Sequence, residues 1–164
     1  LRDVYTQKYL RPVQEGDVEF IAANIRDQDR DEVRAKCGPL RSIAGVIRSS
    51  LLDTPEAVTA ISPTTGEPIA IIGAAAPTLL GGGIGKPWML GTPGVATAPR
   101  GFIQGGRAYV QRMLDLFPEG LENYVDARNS VSIRWLRALG FKMHPAQPYG
   151  EEQRLFHRFT LGCA

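Results

Sequence analysis

Residues 69–76, IAIIGAAA, constrain this chain more than any other stretch, because no position among them carries a polar side chain. A strand with one wet face alternates apolar and polar residues, whereas a strand that is apolar throughout has both faces covered. The run is too short to cross a bilayer. It follows the β-branched segment EAVTAIS (56–62) and the turn sequence PTTGEP (63–68). The two segments therefore read as a hairpin whose second strand lies in the middle of a sheet, with helices layered on both faces.

The remaining elements can be placed around that hairpin. DVYTQKYLRPV (3–13) reads as a first strand. Asp17 is positioned to cap a helix with Phe20, Ile21 and Ile25 on its apolar face. Asp29 and Glu32 have capping-box spacing and open a second short helix through Ala35, ended by Cys37, Gly38 and Pro39. Leu40, Ile43, Val46 and Ile47 give a third helix. PWMLGT (87–92) is a short strand joined to the hairpin by the loop LLGGGIGKP (79–87). Phe102, Gly106, Val110, Met113, Leu114 and Phe117 share one helical stripe, closed by Pro118 and Gly120. ENYVDA (122–127) is a strand, and SVSIRWLRAL (130–139) is a helix capped by Asn129 or Ser130 and stopped by Gly140. Its period predicts Trp135 and Leu136 buried against the sheet. FKMHPAQP (141–148) and RLFHRFTL (154–161) close a hairpin around YGEE.

This order predicts one α/β (α+β) domain over residues 1–164. Its single mixed, mostly antiparallel sheet has about seven strands, with helices on both faces.

Composition excludes several functions. A net charge of +2 is too mild for a nucleic-acid surface. The most charged stretch, RDQDRDEVRAK (26–36), mixes signs and reads as a solvated helix. Cys37 and Cys163 stand far apart with no CxxC pair, so neither a zinc site nor a disulfide framework is expected and reduced intracellular thiols fit best. No membrane segment and no signal-peptide core is expected.

The element order and the segment NSVSIRWLRALGF resemble the GCN5-related N-acetyltransferases (GNAT). In that family an Asn ends strand 5, an amphipathic helix follows, and a Gly-Phe pair starts strand 6; Asn129, Gly140 and Phe141 stand at that spacing. ENYVDARNSVSIRWLRALGF, with HPAQPYG and FHRF, also resembles the acetyltransferase-like internal virion proteins of short-tailed bacteriophages.

The resemblance implies a pyrophosphate cradle after strand 4 with the pattern R-G-x-G-x-G/A. RGFIQGG supplies Arg100, Gly101 and Gly105, with Ile103 in place of the middle glycine. A β-branched residue there disfavours positive φ and close approach to phosphate. The bland alternative is one long helix, with the Gly101 and Gly105 N–H groups spent on intrahelical bonds. With Asn129, these residues would hold acetyl-CoA if the chain is active, and weak binding or none is expected. The family's leaving-group Tyr is replaced by Leu136, and strand 4 carries no Glu. Glu122, Asp126 and Tyr149 are substitutes for base and acid, each read more simply as a strand-end carboxylate or a turn tyrosine. His144 and His157 fall opposite each other if YGEE is the turn, with no third ligand for a metal.

Two functions follow. The first is a virion-associated or assembly protein with a degenerate acetyl-CoA site, acting through other virion proteins in the virion or host cytoplasm. The second is an acetyl-CoA-dependent N-acyltransferase with an atypical site and a small amine or protein acceptor. The family topology and the shortness of PWMLGT imply that this strand and ENYVDA diverge into a V-shaped groove.

Overall fold

The computed structural model describes residues 9–78, 80, 82–97 and 100–164, and only the backbone for 100–103. Strands β1 (Leu10–Pro12), β2 (Ala57–Ile61), β3 (Pro68–Ala75) and β4 (Lys86–Gly91) form an antiparallel sheet in that order. Strands β5 (Leu121–Asp126), β6 (Lys142–Tyr149) and β7 (Arg154–Leu161) form a second antiparallel sheet, ordered β5-β7-β6. The two meet at a single parallel bridge between Gly85 and Leu121, so the seven strands make one mixed array with a break in its middle.

Five helices flank it among the described residues: α1 (Asp17–Ala23), α2 (Asp27–Cys37), α3 (Ile43–Leu52), α4 (Arg100–Leu116) and α5 (Ser130–Ala138). Strand β3 has sheet neighbours on both edges, and its two faces feed two cores. Ile71 packs with Ile21, Val33 and Ile47 of α1–α3. Ala70 and Ala74 pack with Tyr109, Val110, Met113 and Phe117 on and after α4. Burying each large aliphatic side chain contributes roughly 1.5–3 kcal/mol, so the uninterrupted apolar run is what makes a two-layered structure possible.

Several local expectations are corrected. Residues 3–8 of the first strand lie outside the described residues, as do 79 and 81 of the loop before β4. Asp17 does not cap α1. It is the first helical residue after Gly16, and its carboxylate takes hydrogen bonds from Arg11, Thr59 and the Gln14 N–H. Helix α2 starts at Asp27, not at a capping box, because Asp29 and Glu32 point to other elements. Leu40 lies outside α3 and is exposed. The charged stretch 26–36 is not simply solvated, since Arg26, Asp29, Val33 and Ala35 are buried. Trp135 and Leu136 are half-buried, and α5 has no fully buried residue.

No helix among the described residues is long and apolar enough to cross a membrane. Cys37 and Cys163 are free thiols.

Candidate active site

Glycine sets where the two sheets touch. A Cβ at Gly85 would lie 2.5 Å from Phe117 Cδ2 and 3.0 Å from Leu121 Cδ2, so only glycine lets β4 reach β5 there. The Gly85 N–H donates to Gly120 O at 3.0 Å, and Gly85 O accepts from the Glu122 N–H at 2.9 Å. Beyond that point the contact passes to a side chain: Asn123 Nδ2 donates to Pro87 O at 2.8 Å. The strands then part, giving the expected V-shaped groove.

The far end of the groove is closed by α2. The Gly91 N–H donates to Asp29 Oδ2, and Gly91 O accepts from the Arg26 N–H, each at 2.9 Å. Thus Gly85, Pro87 and Gly91 all turn backbone polar groups away from β3. Side alternates along a strand, so Met89 turns its N–H and C=O the same way, into the gap. No hydrogen bond ties those two groups among the described residues.

A cavity of about 300 Å³ fills this gap. One wall is apolar and comes from the α4–α5 layer, including Met113, Leu136 and Leu139. The opposite wall comes from α2 and α3, and carries Asp29, Glu32, Lys36 and Ser50. The cavity therefore reaches both layers through the space between β4 and β5. Gly106 lets α4 and α5 close together over it, since a Cβ there would lie 3.0 Å from Leu139 Cδ2.

The polar wall is one connected network. Arg26 holds Asp29 through two nitrogens at 2.8 and 2.7 Å and reaches Ser132 Oγ at 2.6 Å. Asn129 caps α5 by accepting from the Ser132 N–H, while its Nδ2 donates to Glu32 Oε2 at 3.0 Å and Asp29 Oδ1 at 3.4 Å. Lys36 Nζ lies 3.2 Å from Glu32 Oε1 and donates to Tyr124 O at 2.6 Å. Burial pushes the Asp29 carboxyl above the usual carboxylate range despite Arg26.

The residues expected from sequence fall in three places. Asn129 lines the cavity and is buried, with its amide engaged as above. Arg100 and Gly101 begin α4, so the first-turn N–H groups there have no partner within the helix. Gly105 lies in the second turn, where its N–H is spent on Gly101. Ile103 is helical, so the positive φ that a β-branched residue resists is not called for.

Glu122, Asp126 and Tyr149 do not line the cavity. Glu122 pairs with Arg158. Burial pushes the Asp126 carboxyl up, but hydrogen bonds from the Arg128 side chain and N–H outweigh it and hold the group below its usual range. Tyr149 is not in a turn; it ends β6 and stacks on Tyr124 at 4.0 Å between ring centroids.

His144 does not face His157. The turn is Gly150–Gln153 rather than YGEE, and the unbroken register from it sets Ala146 opposite His157. His157 Nδ1 contacts the backbone oxygen of His144 at 2.8 Å, and His144 Nε2 contacts Thr160 Oγ1 at 2.9 Å. Among the described residues no three His, Cys, Asp or Glu side chains are grouped to hold a metal ion.

Sequence reasoning missed Glu32, Lys36 and Met89 as site residues. The signal for the first two was present, since Asp29, Glu32 and Lys36 are spaced three and four apart along one face of a helix.

No family model and no curated protein matches the sequence. Solved structures do match in shape. The phosphinothricin acetyltransferase of the GNAT superfamily from Sinorhizobium meliloti, solved with AcCoA, is 18% identical with a TM-score of 0.66, over 92% of this chain and 85% of that one. The ribosomal-protein-alanine N-acetyltransferase from Brucella melitensis is 12% identical with a TM-score of 0.67, over 93% and 98%. The spermidine N-acetyltransferase from Vibrio cholerae, solved with CoA and spermine, is 14% identical with a TM-score of 0.58, over 93% of each chain. The fold of this chain is that of the GNAT acetyltransferases.

Proposed function

We propose that this chain is an acetyl-CoA-dependent N-acyltransferase acting on an amine. The observation that carries the reading is the gap between β4 and β5, where the free polar groups of Met89 face a cavity walled by both layers. Bound acetyl-CoA would supply a thioester already activated for acyl transfer. The residues present suit it. Met89 offers a backbone donor and acceptor to a pantetheine amide or thioester oxygen, while Met113, Leu136 and Leu139 exclude water. The N–H groups of Arg100, Gly101 and Phe102 at the start of α4 favour a pyrophosphate. Glu32 and Lys36 bring charge to the α2–α3 side, where an amine would enter. Orientation then carries much of the rate.

The virion or assembly role expected from sequence rests on a motif resemblance and on the loss of the middle glycine, the Tyr and the Glu. The glycine objection loses force because Ile103 is helical, and nothing in the fold favours a virion partner. The enzyme reading is tested by incubating the protein with acetyl-CoA and phosphinothricin, spermidine or an alanine-terminated peptide, and following free thiol. Amine-dependent thiol release is expected. Release no faster than in buffer with all three would count against the enzyme.

A further inference from the structure

We infer that Glu32 is the base that takes the proton from the incoming amine, an inference that rests on the acyltransferase reading above. Asp29 and Glu32 are the two carboxylates that line the cavity among the described residues. Asp29 is ruled out by its bonds. Its Oδ1 accepts from Arg26 and Asn129, its Oδ2 accepts from Arg26 and Gly91, and its side chain is 3% exposed. Glu32 is different. Its Oε2 is held by Asn129 Nδ2 at 3.0 Å and the Asp126 N–H at 3.3 Å, whereas Oε1 has only Lys36 at 3.2 Å, and the side chain is 15% exposed. Oε1 therefore keeps a lone pair free on a residue that lines the cavity. Asp126, Glu122 and Glu56 are tied to Arg128, Arg158 and Arg112 and do not line the cavity.

An amine that arrives as ammonium has no lone pair to donate. Glu32 Oε1 takes one N–H proton and later releases it to solvent. The nitrogen bonds to the carbonyl carbon as the carbon–sulfur bond breaks. The second proton the nitrogen sheds passes through solvent to the sulfur, giving an amide and a free thiol. Asn129 is then a positioning residue, since it fixes Oε2 and leaves Oε1 to act.

The test uses two acceptors of similar size at neutral pH: ethylamine, which is protonated, and 2,2,2-trifluoroethylamine, which is already neutral. Glu32→Gln should lower transfer to ethylamine by about 100-fold, the usual scale for losing a general base, and leave transfer to trifluoroethylamine little changed. Acetyl-CoA should raise the melting temperature of the variant as it does that of the wild type. Glu32→Asp, which keeps the carboxylate, should recover part of the ethylamine rate and serves if the Gln variant does not fold. Equal loss with both amines, or a lost acetyl-CoA shift, overturns the inference while the acyltransferase function stands. A wild type that transfers to neither amine overturns the inference, and the three acceptors named above then decide the acyltransferase function.

Discussion

The Arg26 guanidinium grips the Asp29 carboxylate through Nε and Nη2, at 2.8 and 2.7 Å, with both side chains no more than 4% exposed. This pair ties three elements. Asp29 receives the Gly91 N–H at the end of β4, and Arg26 reaches Ser132 in the first turn of α5. It thereby closes one end of the gap and fixes the distance between its walls. Arg26→Met leaves a buried carboxylate unpaired and is expected to destabilise by about 3–5 kcal/mol, read from urea unfolding. A loss near zero would mean that the pair does not fasten α2 to the sheet.

Gly85 is the opposite end of the same gap. Gly85→Ala pushes a methyl group into the Phe117 ring. The expected cost is about 1–3 kcal/mol, as for other overpacked sites. Thermal unfolding of the variant checks it, and an unchanged melting temperature would show that the bridge to Leu121 is not the pivot of the splay.

Acid should destabilise the fold, and Asp17 gives the sign. Burial pushes its carboxyl up, but hydrogen bonds from Arg11, the Gln14 N–H and Thr59 outweigh this and hold the folded value below the ordinary one. A depressed carboxyl contributes stability above its unfolded pKa, about 3.9, and loses it as pH falls through the folded value. Asp126 acts in the same direction. Asp29, raised mainly by burial, runs the other way, its contribution declining as pH rises through the folded value. Melting temperatures taken from pH 6 downward should fall, and Asp17→Asn should lower the starting value and flatten the slope. An unflattened slope would contradict the role given to Asp17.

Leu136 is half-buried and forms part of the apolar wall of the cavity. Leu136→Trp should fill that wall and weaken acetyl-CoA binding at least about tenfold, or 1.4 kcal/mol. The melting temperature of the unliganded protein should move little, because the side chain is not locked in the core. Calorimetry on the variant separates the two effects.

The layered fold was readable because its signals are local. IAIIGAAA announces a covered strand, and Asn129 with its following apolar stripe announces a capped helix. What escaped depends on partners far along the chain. Arg26 and Asp29 look like solvated charges in sequence, and only Ser132, 106 positions from Arg26, and Gly91, 62 positions from Asp29, explain their burial. Trp135 and Leu136 sit on the periodic face of α5 but are less buried than the period predicts, because that face borders the gap where β4 and β5 part. The histidine register failed because Tyr149 extends β6 by one residue and moves the turn to Gly150–Gln153, and the irregularity after Met143 then falls at His144 itself. Neither event leaves a mark in the local pattern.

The proposed function requires acetyl-CoA in the gap beside Met89. Isothermal titration calorimetry of the wild-type protein with acetyl-CoA at neutral pH measures this directly. One site per chain is expected, with a dissociation constant in the range of about 1 μM to 1 mM in which enzymes meet their substrates, weakened by Leu136→Trp. An absence of binding heat up to millimolar acetyl-CoA, together with an unmoved melting temperature, would contradict it.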